Sequence, residues 1–225
     1  MTESERDDIL MAASRHIPFE GWTMTALERG AEDLGRSRFD AQRAFPNGVR
    51  QAIDHLADWA DRQALSRIQA DGAMDEMGFT QKVTFGARAR LEALEPHKEL
   101  MVRAIGGRLI PGHFSAGAKA VLRSADRIWD AVGDSSTDIN WYTKRGLLAT
   151  VIAATTIYWC RDTSPDHEQT WDYLDRRIND ALRVGKAAGQ ARDMAARVTP
   201  QPILNILGSI LPAPKAPTAE NDPRH

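Results

Sequence analysis

The side chains of this chain best suited to metal or nucleophilic chemistry are its histidines and its one cysteine. The histidines are His16, His55, His97, His113, His167 and His225. None of them follows a Glu by three residues, so the Glu-x-x-His pairs of a di-iron helical bundle are missing. The sequence also has no His-Glu-x-x-His, P-loop or dinucleotide-binding glycine pattern. We therefore expect no catalytic site, no metal and no cofactor.

Cys160 lies at the end of an uncharged run and lacks the polar surroundings that activate a thiol. A small buried hydrophobe is the simpler interpretation of this residue. A single cysteine also excludes an internal disulfide framework.

A group of aromatic and charged residues indicates binding rather than catalysis. Trp141 and Tyr142 are adjacent, with Asp138 before them and Lys144 and Arg145 after them. Aromatic residues and Arg are enriched at the energetic centres of protein interfaces, since they bury a large area. Two alternatives stay open: ordinary core packing also accounts for the tryptophans, and Asp138 is better explained as a helix N-cap than as a functional acid.

The overall composition is that of a globular protein without a strong charge preference. The 225 residues carry a formal net charge of −2, which provides no general attraction to nucleic acid or anionic membrane. The first eight residues are acidic and have neither an apolar signal core nor an Arg-rich transit pattern. We expect a reducing, cytoplasmic setting, or the mitochondrial matrix side if the chain is the mature form of a eukaryotic protein.

Helical periodicity dominates the chain and predicts an all-α fold. Apolar residues recur at i, i+3, i+4 and i+7 near the N-terminus. Ser37 is predicted to cap a short helix that ends near Phe45, and Asn47 to cap a long helix that ends near residue 71. Further helices are predicted over residues 79–94, 97–105, 115–132, 139–161 and 166–197.

The run of residues 146–160 has no charged side chain. Its 15 residues are fewer than the roughly 20 that a bilayer span requires. An apolar helix without a polar face is expected at the centre of a domain, and apolar residues of three other predicted helices can face it. The residues expected around this helix are Val83, Leu100, Met101, Ile105, Phe114, Val121, Leu147, Leu148, Val151, Ile152 and Thr155. The sequence leaves open whether they form a filled core or line a cavity large enough for a lipid; the lipid-binding role rests on the family resemblance described below.

The C-terminal part carries a short amphipathic segment over residues 199–212. Its apolar face consists of Ile203, Leu204, Ile206, Leu207, Ile210 and Leu211. So short a helix is marginal in water and needs an apolar surface to lie on. We expect peripheral, reversible contact with a membrane; docking back onto this protein or a second copy is the alternative. Residues 213–225 are proline-rich and polar, and we expect them to be disordered.

Residues 1–48 resemble the DNA-binding head of TetR-type repressors, with a helix-turn-helix pattern around Leu34, Gly35 and Ser37. Charge argues against DNA as the ligand. Residues 1–60 carry seven Arg and no Lys against eleven acidic residues, whereas a DNA-binding head neutralises several phosphates. Arg36, Arg38 and Arg43 lie on the would-be recognition helix, and we interpret them as a solvated helix face.

The stretch over residues 136–181 closely resembles the accessory lipid-binding family of ubiquinone (coenzyme Q) biosynthesis, whose members have a TetR-like fold. The resemblance rests on Ser136-Thr137-Asp138, on Asn140 to Arg145, on Asp162-Thr163-Ser164-Pro165-Asp166, on Thr170-Trp171 and on Leu174 to Ala181. Gly21-Trp22-Thr23 and Leu34-Gly35 fit the same family, and the likeness covers about residues 6–185.

This resemblance implies a non-enzymatic homodimer built through the C-terminal helices. It implies that the protein binds an isoprenoid quinone intermediate or another lipid, presents it to a di-iron hydroxylase and touches the membrane. The family's docking surface maps here onto Asp126, Ile128, Trp129, Trp141, Tyr142 and Arg145. At Ile128, relatives can carry another apolar residue.

The predicted organisation has four parts. A degenerate helix-turn-helix head over 1–48 precedes a helical lipid-binding and dimerisation bundle over 49–198. The membrane-contacting helix at 199–212 and the tail at 213–225 follow. The alternative function is a ligand-sensing TetR-type transcriptional regulator, which the helical layout permits and the acidic head opposes. The sequence does not identify the lipid or its tail length.

Overall fold

A computed structural model describes residues 1–108, 114–134 and 139–196 of the chain. Within these ranges the protein is built from α-helices and 3₁₀ turns, with no β-strand. This confirms the predicted all-α class. The predicted segment 199–212 with its apolar residues, the tail 213–225 and the candidate cap Asp138 lie outside the described residues, as does the side chain of Phe114.

The head consists of four helices that pack around small residues. They are α1 (Glu3–Ala13), α2 (Ile17–Glu20), α3 (Met24–Asp33) and α4 (Arg38–Ala44). Ser37 caps α4 as predicted and, together with Asp40, forms a capping box. Gly35 joins α3 to α4 with φ +69°, a left-handed conformation that glycine adopts without strain.

A long helix connects the head to the remaining helices. This helix, α5, spans Val49–Ala70, and its N-cap is Gly48 rather than the predicted Asn47. The backbone N–H of Asn47 is instead satisfied by the side chain of Gln51, at 3.0 Å. Three further helices follow: α6 (Phe79–Leu94), α7 (Lys98–Arg108) and α8 (Phe114–Ala131).

Two antiparallel helices complete the described chain: α9 (Ile139–Trp159) and α10 (Glu168–Ala196). The prediction placed the start of α10 at residue 166, but a 3₁₀ turn at Pro165–His167 precedes it. The helix α9 is less enclosed than predicted, because Ile157 is 49% exposed and Leu147 is half-buried. No helix in the described ranges is long and apolar enough to cross a membrane.

Two apolar cores organise the described residues. The first joins the head to α5, the end of α6, α7 and Trp159, and the second lies among α5, α6, α8, α9 and α10. A buried polar cluster lies between helices of the second core. Arg90 of α6 donates to Asp61 of α5 at 2.8 Å, and the hydroxyl of Ser124 of α8 donates to the same carboxylate at 2.7 Å. Each of the three helices thus supplies one polar partner.

Candidate functional site: an apolar groove beside an aromatic and charged corner

An open groove of about 530 Å³ lies between α6, α9 and α10. Its floor is formed by the buried side chains of Val83, Leu148 and Ile178. Phe79 and Leu182 line its sides and are 57% and 38% exposed. Large apolar side chains exposed around a concave surface of this size are typical of a binding site for an apolar ligand.

The corner where α8 leads into α9 adds polar groups to this groove. Trp129, Asp134, Thr143 and Lys144 line it there, and Lys186 lines it from α10. The Lys144 ammonium lies 2.7 Å from Asp134 Oδ1 and 5.2 Å from the centroid of the Trp129 ring. The groove therefore combines an apolar floor with a charged and aromatic rim, which suits an amphiphilic ligand.

The structure brings together only part of the predicted lipid-binding set. Val83, Leu147 and Leu148 line the groove. Val151 and Ile152 lie in the core cluster beneath it, with Val121 packed against that cluster. Leu100, Met101 and Ile105 belong to the core on the side of the head and do not line the groove. The Thr155 side chain is fully buried.

Two of the predicted docking residues, Asp126 and Trp141, contact a third, Arg145. Its guanidinium donates to Asp126 Oδ1 at 2.5 Å, to Asp130 Oδ1 at 2.7 Å and to Asp134 Oδ2 at 3.1 Å. It also lies 4.1 Å from the centroid of the Trp141 ring, a cation–π arrangement. Arg145 was expected on the surface, but it is 4% exposed, because the carboxylates of α8 and the corner enclose it.

The remaining docking candidates differ in exposure. Trp141 is buried and meets half-buried Tyr142 edge to face, at 4.8 Å between ring centroids. Ile128 is 2% exposed. It packs so closely against Gly86 that a Cβ added to this glycine would lie 3.0 Å from Ile128 Cγ2. Ile128 therefore positions α8 against α6 and is not available to a partner's surface.

Sequence reasoning missed Asp130 and Asp134, and it did not assign Lys144 to the groove. A signal was present, because Asp126, Asp130 and Asp134 recur at every fourth residue and so follow one side of α8 into the corner. Such a stripe is ordinarily a solvated face. Here Arg145 from the next helix binds all three carboxylates, although only Arg145 and Asp134 are buried.

The turn between α9 and α10 is held by Asp162. Its carboxylate accepts hydrogen bonds from the backbone and the hydroxyl groups of Ser164 and Thr170, at 2.5–2.9 Å. Burial raises the pKa of this carboxyl, but the hydrogen bonds from Ser164 and Thr170 outweigh burial and hold the pKa well below its ordinary value. The turn thereby fixes α10 beside α9, where it completes the groove.

Asp166 and His167, which follow in the same turn, both adopt positive φ, at 48° and 57°. This conformation lets His167 Nε2 reach Glu95 Oε2 at 2.7 Å, and Glu95 also accepts from the indole of Trp159 at 3.2 Å. The contacts tie the turn to the end of α6. The described residues contain no group of His, Cys, Asp and Glu side chains able to hold a metal ion.

The three arginines predicted on the would-be DNA-reading helix α4 are all paired with acids, and Arg36 lies ahead of the cap Ser37 rather than on the helix. Arg36 lies 3.4 Å from Glu5, Arg38 lies 3.7 Å from Glu32, and Arg43 pairs with Asp40. Phe39 on the same helix is 62% exposed. Arginines already paired with carboxylates, beside an exposed phenyl ring, make a poor surface for phosphates.

The corner and the α9–α10 side of the groove as far as Gly185 lie in the part of the chain that matches a known family model, whereas the wall formed by α6 lies outside it. Residues 114–185 match the model described as COQ9. The mitochondrial ubiquinone biosynthesis protein COQ9 of Rattus norvegicus is 32% identical over 190 residues, which cover 82% of this chain and 61% of that protein. The corresponding protein of Drosophila melanogaster is 33% identical over 192 residues, covering 84% and 59%. This chain thus spans about three fifths of the length of these curated relatives.

A solved structure shares the fold at low sequence identity. It is that of the TetR transcriptional regulator from Nitrosomonas europaea ATCC 19718, with a TM-score of 0.64 and 20% identity. The match covers 79% of this chain and 97% of that chain. The predicted TetR-like architecture is therefore confirmed, and at this identity the likeness concerns the fold alone.

Proposed function

Because this chain belongs to the COQ9 family, we propose that it serves ubiquinone biosynthesis as a non-enzymatic lipid-binding protein. It takes an isoprenoid quinone intermediate into the groove between α6, α9 and α10 and presents it to a di-iron hydroxylase. The observation that carries this proposal is the apolar groove itself, with Phe79 and Leu182 exposed on its sides.

The physical need for such a protein follows from the substrate. An isoprenoid tail is nearly insoluble in water, so its transfer from a bilayer to an enzyme site requires continuous apolar cover. The groove provides apolar area for a tail, and the polar corner with Lys144 and Asp134 provides partners for the oxygens of a quinone or phenol head.

The docking surface for the hydroxylase consists, in this proposal, of Trp129, Tyr142 and Asp126, which the buried Trp141 and Arg145 support from beneath. It adjoins the groove, because Trp129 lines the groove and also donates from its indole to the carbonyl of Lys144, at 3.2 Å. A lipid leaving the groove at this corner would reach the partner without crossing open solvent.

Two further features belong to the proposal. The protein works as a homodimer joined through α9 and α10, where Ile157 and Val184 are 49% and 54% exposed.

The segment 199–212 lies on the membrane surface with its Ile and Leu side chains inserted. Deleting that segment should reduce sedimentation with phosphatidylcholine vesicles, while the helical circular dichroism of the bundle is retained.

Mass spectrometry of organic extracts from the purified protein tests the central claim. We expect co-purifying isoprenoid quinones or phospholipids in wild type and a loss of at least tenfold in Ala181→Trp, whose indole would fill the groove that Ala181 lines. The matched control is Ala118→Trp, on an exposed position of α8. Lipid-free wild-type protein, or equal lipid content in the two variants, would refute the groove as the binding site.

A further inference from the structure

One carboxylate lies between the groove and the proposed docking surface. Asp134 Oδ1 accepts from the Lys144 ammonium at 2.7 Å, and Asp134 Oδ2 accepts from Arg145 Nη1 at 3.1 Å. Lys144 lines the groove, whereas Arg145 supports the ring of Trp141. The two oxygens of one side chain, itself 4% exposed, therefore hold cations that belong to two different sites.

Trp129 closes this arrangement into a ring of contacts. Its carbonyl accepts from the backbone N–H of Asp134 at 3.0 Å, and its indole donates to the carbonyl of Lys144 at 3.2 Å. The Lys144 ammonium lies over its ring. Trp129 lines the groove. A ligand packed against its indole therefore contacts the residue that is hydrogen-bonded to both Lys144 and Asp134.

The strength of that ion pair depends on its access to water. The Lys144 side chain is 38% exposed, so solvent screens the pair on the side of the groove. A lipid that covers the lysine stem and the indole removes this water, and an ion pair is stronger in a medium of lower dielectric constant. A tighter hold on Asp134 restricts Arg145 and the aromatic rings that rest on it.

We propose that Asp134 couples occupancy of the groove to docking of the hydroxylase, so that the lipid-loaded protein binds the hydroxylase more tightly than the empty one. This inference rests on the proposed function and adds a positioning residue to it. An ordered docking surface loses less conformational freedom when the partner binds, and the resulting cooperativity is positive. Linkage is reciprocal, so the hydroxylase raises the affinity for the lipid by the same factor.

The neighbouring carboxylate of Asp130 provides a matched control. It accepts from Arg145 Nη2 at 2.7 Å and is 49% exposed, but it does not line the groove. Asp130→Asn and Asp134→Asn therefore remove one negative charge each from the same arginine. Only Asp134→Asn also removes the link to Lys144.

The test is a thermodynamic cycle on the full chain. The dissociation constant for the di-iron hydroxylase is measured with delipidated protein and with protein saturated with a short-tailed ubiquinone of two isoprene units. Couplings between sites are typically about fivefold or more, so we expect loaded wild type to bind at least about fivefold more tightly. Asp130→Asn should keep this ratio, and Asp134→Asn should bring it close to one.

The second variant, Lys144→Met, keeps most of the apolar stem and removes the ion pair from the side of the groove. Lys144→Met should likewise bring the ratio of the two dissociation constants close to one. It provides the test if Asp134→Asn does not fold. A ratio of one in wild type, or an undiminished ratio in Asp134→Asn or Lys144→Met, would overturn the coupling. Failure of wild type to bind either the quinone or the hydroxylase would instead refute the proposed function, and the coupling with it.

Discussion

At the scale of single residues, Arg145 shows how a candidate contact residue can be a structural one. Three carboxylates and one indole ring surround its guanidinium, which leaves little of it for a partner. Tyr142 lies beside it, packed edge to face on Trp141 and still half exposed. Loss of Arg145 and loss of Tyr142 should therefore have different consequences.

Arg145→Ala leaves its three carboxylates without their shared cation. Asp126 and Asp130 are 36% and 49% exposed and Asp134 keeps Lys144, so the loss should lower the free energy of unfolding by about 1.5–3 kcal/mol, as for hydrogen bonds to charged groups. Thermal denaturation should detect this change. In the proposed complex with the hydroxylase, Tyr142→Ala should weaken binding at least tenfold, as truncation of an interface hot spot does, while the melting temperature stays within a few degrees of wild type. Tyr173→Ala, on a different face, serves as the control; an equal loss of binding there would argue against a local docking surface.

Asp162 predicts a specific dependence of stability on pH. The pKa of its carboxyl is lowered in the folded state, so the folded protein binds fewer protons than the unfolded chain as the pH falls below about 4, the ordinary value. The contribution of Asp162 is therefore complete above that pH and is lost as the pH falls toward the lower, folded-state pKa.

Asp162→Asn should reduce the free energy of unfolding at pH 7 by about 2–3 kcal/mol, since a charged acceptor of hydrogen bonds is lost. It should also flatten the decline in stability below pH 4. Urea denaturation over a series of pH values measures both effects. Asp172→Asn, on an exposed position of α10, should reproduce neither, and an unchanged acid profile in Asp162→Asn would refute the assignment.

At the scale of helices, periodicity and local signals placed α4, α6 and α9 within a few residues of their observed bounds. These signals are short-range, as in the capping box of Ser37 and Asp40. The error at Asn47 is also local, because Gln51 satisfies the backbone N–H of Asn47 and Gly48 takes the cap position. What could not be predicted is which helix faces approach one another: Leu100 and Leu148 are both apolar and buried, yet they lie in different cores.

The contact between α1 and α3 gives a prediction at this scale. A Cβ added to Gly30 would lie 2.5–2.8 Å from the backbone and Cβ of Ala13, so the two helices would have to separate. Gly30→Ala should lower the free energy of unfolding by at least about 2 kcal/mol through overpacking. Gly106→Ala, in a helix with nothing within 4 Å, should instead raise it by about 0.5–1 kcal/mol. Chemical denaturation of both variants checks the contrast, and similar effects would refute the close approach.

At the scale of the whole molecule, α5 connects the two cores. Its N-terminal part contributes Ala52 and Leu56 to the core of the head, and its C-terminal part contributes Ile68 to the core under the groove. Between them lies Asp61, which binds Arg90 and Ser124. We therefore expect the head and the helices around the groove to unfold together. The head then stabilises the bundle, a structural role that does not require its arginines to contact DNA.

The proposed homodimer is testable at this scale. Ile157→Arg places a charge on the α9–α10 face and should shift the protein from dimer to monomer, because a buried unpaired charge opposes association. Val102→Arg, at a similarly exposed apolar position of α7, with 42% exposure against 49%, should leave the dimer intact. Analytical ultracentrifugation distinguishes the two species. A wild-type monomer, or a dimeric Ile157→Arg protein, would exclude this interface.

The order of the groove's walls along the chain has a consequence for biogenesis. Phe79 and Val83 leave the ribosome about one hundred residues before Leu182 and Gly185, which close the opposite wall of the groove. Contacts between residues so distant in sequence form late in folding. A nascent chain therefore exposes Phe79 and Val83 to chaperones and proteases until α10 is complete, and variants truncated within α10 should be degraded rather than accumulate.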